Sequence, residues 1–174
     1  MHTPVPALTA AERFWRSRRF ARTRHRLTSL RRSSALLTRA HAALIRRSGG
    51  RIRRSFLFTG GMPILVLTSV GRRSGRVRST PLAYLRSGGG FAVMASNAGS
   101  DRAPAWWLNL QSHPTAEVLA AGTRYAVTAR AAGPEEETAF WNVIVGLNPG
   151  FAEYRALTGR PIPIVLLEPR SEAR

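Results

Sequence analysis

A chain of 174 residues has room for one core and an appendage, and the absence of cysteine excludes disulfides, thiolate metal sites and cysteine nucleophiles. All 27 basic residues are arginine, against nine acids; the formal charge of +18 narrows the partners to phosphates, nucleic acid, anionic lipid or a polyanionic cofactor. Fifteen of those arginines and one acid, Glu12, fall in residues 1–55. This asymmetry divides the chain into a basic appendage over 1–55, a globular domain over 56–170 and a short tail over 171–174.

The appendage reads as helical. Thr9 and Glu12 have the spacing of a capping box, in which each side chain satisfies a backbone donor at a helix start. Leu27, Leu30, Leu37 and Leu44 recur at three- and seven-residue steps, and Ser48-Gly49-Gly50 supplies a stop. Such an arginine-flanked stripe suits packing on its own barrel, on a second subunit of a homodimer, or on an anionic membrane surface. The run from Phe56 to Val70 is too short to cross a bilayer and is broken by Gly60-Gly61 and Pro63. No export signal is evident, since arginines rather than an apolar run follow Arg18-Arg19. The expectation is a cytoplasmic protein, free or peripheral on the inner face of the cell membrane.

From Pro63 onward the pattern changes. Ile64 to Thr68 is a branched apolar run closed by Gly71, which reads as a buried strand. Thr80 to Leu85 and Gly90 to Ser96 read as strands joined by a turn at Ser87-Gly88-Gly89. Pro104 to Gln111 reads as a short helix with proline in its first turn. Ala116 to Ala120 and Arg124 to Arg130 flank Ala121-Gly122-Thr123 as a hairpin. Pro134 and the acids Glu135, Glu136 and Glu137 open a helix running to about Leu147, and Ile162 to Leu167 is a last strand. Hairpins with isolated helices between them predict an α+β, mainly β fold: an antiparallel barrel flanked by helices.

Conventional catalytic sets are missing from the sequence. His113 stands alone in the domain, Asp101 and Glu153 have no visible carboxylate partner, and no metal set can be assembled. Such a chain can still support catalysis when a cofactor carries the chemistry. Attention falls on VGRRSGRVRSTPL, residues 70–82. It is not a P-loop, because Gly71 and Gly75 are too close, lysine is absent and a strand follows. Its glycines permit bends that turn amide N–H groups toward one point, while Arg72, Arg73 and Arg78 add forked donors and Ser74, Ser79 and Thr80 add hydroxyls. Local spacing alone favours a solvated basic hairpin.

VLTSVGRRSGRVRSTPLAYL, VMASNAGSDRAPAWWLNLQSHPTAEV and NPGFAEYRALTGRPIPIVLLEP together resemble three successive signatures of the deazaflavin-dependent nitroreductase and quinone reductase family. Members of that family are split β-barrel oxidoreductases using coenzyme F420, an 8-hydroxy-5-deazaflavin. The resemblance covers about Arg46 to Pro169. It implies that Arg72, Arg73, Ser74, Arg78, Ser79 and Thr80 hold the phosphate and oligoglutamate tail of the cofactor. It also implies that Met94, Ala95, Ser96 and Asn97 lie beside the deazaflavin ring, and that Ala105, Trp106, Trp107, Leu108 and Asn109 form a helix packed against it. Adjacent helix positions point about a hundred degrees apart, so one tryptophan can pack inward while the other meets the cofactor. The implied reaction is hydride transfer from the reduced deazaflavin to a small acceptor, with Ser96 and Tyr154 as hydrogen-bonding catalytic residues.

Where nitroreducing relatives place tyrosines around the acceptor, this chain has Ala83, Asn148 and Phe151, and keeps Tyr154. Fewer phenols imply a roomier, less polar pocket, suited to a quinone or other conjugated carbonyl more than to a bulky nitro compound. Two other readings compete. FMN also ends in a phosphate that the loop could hold. Alternatively, Phe14, Trp15 and Phe20 among arginines suit a non-catalytic module for membrane or nucleic acid, although no base-reading motif supports the latter.

Overall fold

The computed structural model describes residues 62–97, 100–147 and 159–170, together with 43–45, 47 and 152. Within them six strands, β1 (Ile64–Val70), β2 (Val77–Ser87), β3 (Gly90–Met94), β4 (Thr115–Ala120), β5 (Thr123–Ala131) and β6 (Ile164–Pro169), close a barrel. Its order is β1-β2-β3-β6-β5-β4, and every pairing is antiparallel. Two helices, α1 (Ala105–Ser112) and α2 (Pro134–Leu147), complete it. The expected mainly β barrel with flanking helices is what forms. The expected helix of the appendage lies outside the described residues except at 43–45 and 47, which are helical. No helix among the described residues is long and apolar enough to cross a membrane.

Side-chain alternation explains why several strands read as unbroken apolar runs: both faces are covered. In β1, Leu65 and Leu67 point into the barrel, while Ile64 and Val66 point outward and pack with Leu119 under Ile45, which is 1% exposed. Ile45 of the basic segment therefore lies on the barrel wall. In β3 and β6, Phe91, Val93, Val165 and Leu167 fill the interior. Their alternates Ala92, Ile164 and Leu166 face Trp141, Ile144 and Leu147 of α2. By contrast β5 buries only Val127 and Ala129, leaving its other face in solvent. Inside the barrel Tyr84, Phe91 and Tyr125 meet edge to face, with ring centroids 5.3 and 5.1 Å apart, and the Arg86 guanidinium lies 4.6 Å from the Phe91 centroid.

Gly90 sets how closely β3 and β6 approach, because a Cβ there would stand 2.3 Å from the Leu167 carbonyl oxygen. The start of α2 is tied back by Glu136, whose carboxylate accepts from the Gly133 N–H at 2.8 Å and from Arg130, itself paired with Glu168. These contacts hold the Glu136 carboxyl down at about 2, the hydrogen bond from Arg130 contributing most.

One departure from the expected strands positions everything that follows. β2 begins at Val77, before the arginine turn has ended in the sequence reading, and is eleven residues long. Val77 to Ala83 pair with β1, but β3 joins only at Tyr84 to Ser87. Among the described residues no strand pairs with the other edge of Val77–Ala83, and this half of β2 is exposed or half-buried. The barrel is open there, between the first half of β2 and the chain leaving β3.

Candidate functional site

Strand direction brings the site together. The β1–β2 loop, the segment leaving β3, the entry to α1 and the chain leading into β6 all lie at the strand ends surrounding this opening. α1 closes the barrel from that side. Trp106 and Leu110 insert into the interior cluster, whereas Trp107 is half-buried against its rim, 6.5 Å from Trp106 between ring centroids. Ala105 is exposed and Leu108 half-buried. Thus Trp106 packs inward, while Trp107 keeps part of its surface exposed.

The arginine loop differs from its sequence expectation. The N–H groups of Gly71, Arg72, Ser74, Gly75 and Arg76 are engaged within the protein. Gly71 N–H donates to Arg76 O (2.9 Å), Ser74 and Gly75 N–H to Gly71 O (3.2 and 2.8 Å), and Arg76 N–H to Ser74 Oγ (3.4 Å). Arg72 N–H donates to Asn109 Oδ1 on α1 (3.1 Å), and that asparagine is 6% exposed. Gly75 takes a φ of 62°, the left-handed conformation that closes the turn. With these five amides taken, the loop has no group of convergent free amides to cup an anion. What it presents outward is guanidinium: Arg73, Arg76 and Arg78 are exposed and Arg72 half-exposed.

No ion pair engages these four arginines among the described residues. The acids instead serve elsewhere, Glu117 with Arg124, and Glu136 and Glu168 with Arg130. Four unpaired cations tied to one helix suit a ligand carrying several negative charges. Ser79 Oγ lies 3.3 Å from Thr68 Oγ1 across the β1–β2 pair, and Thr80 is half-buried on β2.

Met94, Ala95, Ser96 and Asn97 continue from β3 past the opening. Ala95 is fully buried, Ser96 half-buried and Asn97 exposed. Asn97 has a φ of 47°, and its Nδ2 donates to Arg102 O (2.9 Å), while Ser100 N–H returns to Asn97 O (3.1 Å). Met94 and Ala83 pack against the cluster beneath α2. Asn148, Phe151 and Tyr154 lie outside the described residues.

Two residues were overlooked in the sequence. Arg76 belongs to the same exposed set as its loop neighbours, and composition already signalled it. Arg160 gave no such signal. It sits between glycine and proline, and its guanidinium donates to the carbonyls of Ala95 (3.0 Å), Ser96 (2.9 Å), Ser100 (2.9 Å) and Pro161 (3.0 Å). Depressions of about 230 and 250 Å³ lie elsewhere, beside the Ser87–Gly90 hairpin and between Val77 and Thr115. Neither borders Ser96 or Trp107, so the site rests on the chemistry of its lining.

The family model for F420H(2)-dependent quinone reductases matches residues 37–169. The chain belongs to the F420H(2)-dependent quinone reductase family. Its match begins inside the basic segment and takes in Ile45, which packs on the barrel wall. Among members of the family, the chain is 33% identical over 137 residues to an F420H(2)-dependent quinone reductase of Mycobacterium tuberculosis (strain ATCC 25618 / H37Rv), covering 77% of this chain and 91% of that protein. Among solved structures, an F420-H2 dependent reductase aligns with a TM-score of 0.56 and 34% identity, over 61% of this chain and 94% of that one. A structure described as a domain-swapped dimer aligns with a TM-score of 0.57 and 29% identity, over 78% of this chain and 99% of that one.

The lining of this reductase-family site fits the reduced deazaflavin that the family name specifies. Four arginines without ion pairs among the described residues answer a phosphate and carboxylate tail, and a half-buried indole packed on the cluster that holds Ala95 answers a flat ring.

Proposed function

We propose that the protein catalyses hydride transfer from reduced coenzyme F420 to a quinone. The observation that carries this reading is the cluster Arg72, Arg73, Arg76 and Arg78, without acidic partners among the described residues and tied through Asn109 to the helix that bears Trp107. When bound, the reduced deazaflavin supplies the hydride; a proton from solvent completes reduction of the acceptor to a hydroquinone.

The chain's own residues bind and orient. The four guanidiniums hold the anionic tail in forked contacts, with Ser74, Ser79 and Thr80 as the nearby hydroxyls. Trp107 and Leu108 offer an apolar face, and Ala95 keeps the strand end small enough for close approach. Ser96 Oγ donates a hydrogen bond to oxygen on the acceptor, stabilising the charge that develops there. Tyr154 is a second donor in this scheme, and Ala83, Asn148 and Phe151 leave the acceptor space wide. Precise orientation then supplies most of the rate, because a reaction between two held partners needs no further catalytic group.

The test is a fluorescence titration with oxidised F420, followed by oxidation of the reduced cofactor by a menaquinone analogue and by a nitroimidazole. Binding and quinone-dependent oxidation are expected in the wild type, and the double variant Arg73→Ala/Arg78→Ala loses at least about tenfold in affinity, one charge-assisted contact's worth. Absence of quenching, or rapid reduction of the nitroimidazole with none of the quinone, would overturn the reading.

A further inference from the structure

Arg160 lies some sixty residues from the segment it binds, yet it gathers that segment's carbonyls more completely than any other side chain described. Its Nη2 donates to two successive carbonyls, Ala95 O at 3.0 Å and Ser96 O at 2.9 Å, and its Nε donates to Ser100 O at 2.9 Å. Nη1 anchors the same guanidinium to Pro161 O at 3.0 Å, just before β6. In an extended strand successive carbonyls point to opposite sides, so two that converge on one nitrogen require the chain to turn between them. β3 accordingly ends at Met94, and the turn falls at Ser96, whose backbone joins the two peptide planes.

The convergence has a consequence on the other side of the backbone. No peptide bond here is cis, and in a trans peptide the N–H points opposite to the carbonyl of the preceding residue. With the Ala95 and Ser96 carbonyls drawn to Arg160, the N–H groups of Ser96 and Asn97 point away from it. Ala95 N–H is engaged by Pro163 O at 3.0 Å, but neither of the next two N–H groups donates a hydrogen bond among the described residues. Two adjacent donors are thus held in fixed directions beside the opening, with Ser96 half-buried.

We propose that Arg160 is a positioning residue for the hydride-transfer site: by clamping the carbonyls of Ala95, Ser96 and Ser100 it aims the Ser96 and Asn97 N–H groups at the bound cofactor. The inference rests on the reading that this segment borders the deazaflavin. The planar fork is what the task needs, because its separate nitrogens reach three carbonyls in fixed directions, which an ammonium on a flexible stem does not reproduce. Fixed donors hold the ring's acceptor atoms in one orientation toward the hydride acceptor, and a misplacement of about 1 Å between reacting partners costs about 100-fold in rate. Among the described residues Arg160 donates to the backbone carbonyls behind them.

The experiment uses the full-length ¹⁵N-labelled protein as wild type, Arg160→Met, Arg160→Lys and Arg160→Ala. Oxidised F420 is titrated while the Ser96 and Asn97 amide resonances are followed, and turnover is measured with reduced F420 and a menaquinone analogue. In the wild type both amides shift on cofactor binding. In Arg160→Met that response is lost and kcat falls about 100-fold, whereas the dissociation constant changes less than about fivefold because the arginine loop is untouched. Arg160→Lys falls between the two, and added methylguanidine restores turnover to Arg160→Ala. Wild-type amide response and kcat in Arg160→Met would overturn the proposal, as would loss of binding, kcat and fold together with no rescue by methylguanidine. Failure of the wild type to bind the deazaflavin would instead sink the proposed function. Amide hydrogen exchange over residues 95–100 of the cofactor-free protein then judges the clamp directly: faster exchange in Arg160→Met supports it, and unchanged exchange refutes it.

Discussion

Replacing Asn109 with alanine separates the loop's position from its charge. The carboxamide is 6% exposed, and its Oδ1 accepts from the Arg72 N–H at 3.1 Å across 37 residues of sequence. Removing the acceptor leaves a part-buried N–H without a partner, which costs about 2 kcal/mol. For a chain of this size that corresponds to a Tm lower by about 4–8 °C. Binding falls further than stability suggests, because Arg72 to Gly75 lose their anchor to α1 while every arginine remains. Re-ordering even one or two of those residues on binding costs about 1.4 kcal/mol, a tenfold rise in Kd. Differential scanning fluorimetry and F420 titration read the two effects. If Asn109→Ala binds F420 like wild type and melts within about 1 °C of it, the loop is not positioned by this bond and the argument fails.

Gly90→Ala places a methyl against the Leu167 carbonyl and near Pro169 Cδ, at 2.3 and 3.0 Å, so β3 and β6 must separate. A loss of about 3 kcal/mol in chemical denaturation is expected, whereas Gly89→Ala, with nothing within 4 Å, is near neutral; equal effects would contradict the close approach. Glu136 has its pKa lowered to about 2 from 4.5 by the Arg130 hydrogen bond and the Gly133 N–H, so its stabilisation is complete above pH 4.5 and is lost as pH falls through about 2. With a third of that side chain exposed, the screened contribution is about 1 kcal/mol. The stability gap between wild type and Glu136→Gln should therefore close between those two pH values; a constant gap would show that the pair does not set it.

The strands were legible because their cause is local. Ile64 to Thr68 and Ile164 to Leu167 are branched apolar runs covered on both faces, and β5 alternates because one face is wet. The two-residue hairpin loop at Ala121-Gly122 places both residues at positive φ, as its glycine suggested. The arginine loop was half legible. Its charge could be counted, but the direction of its amides could not, because Asn109 turns one of them and the loop's own carbonyl and hydroxyl groups take others. Arg160 was illegible, since one arginine between glycine and proline has no pattern to betray four carbonyl partners.

Sequence by itself determined the periodicity of β1 to β6, the two helices, the concentration of charge and, through its motifs, the family. Tertiary structure alone decided that β3 joins β2 only from Tyr84 onward, that the loop offers guanidiniums rather than amides, and that Arg160 orients the backbone beside Ser96. Local propensity depends on neighbours within a turn or two of chain. The site depends on hydrogen bonds spanning 37 to 65 residues, which exist only once the barrel has closed.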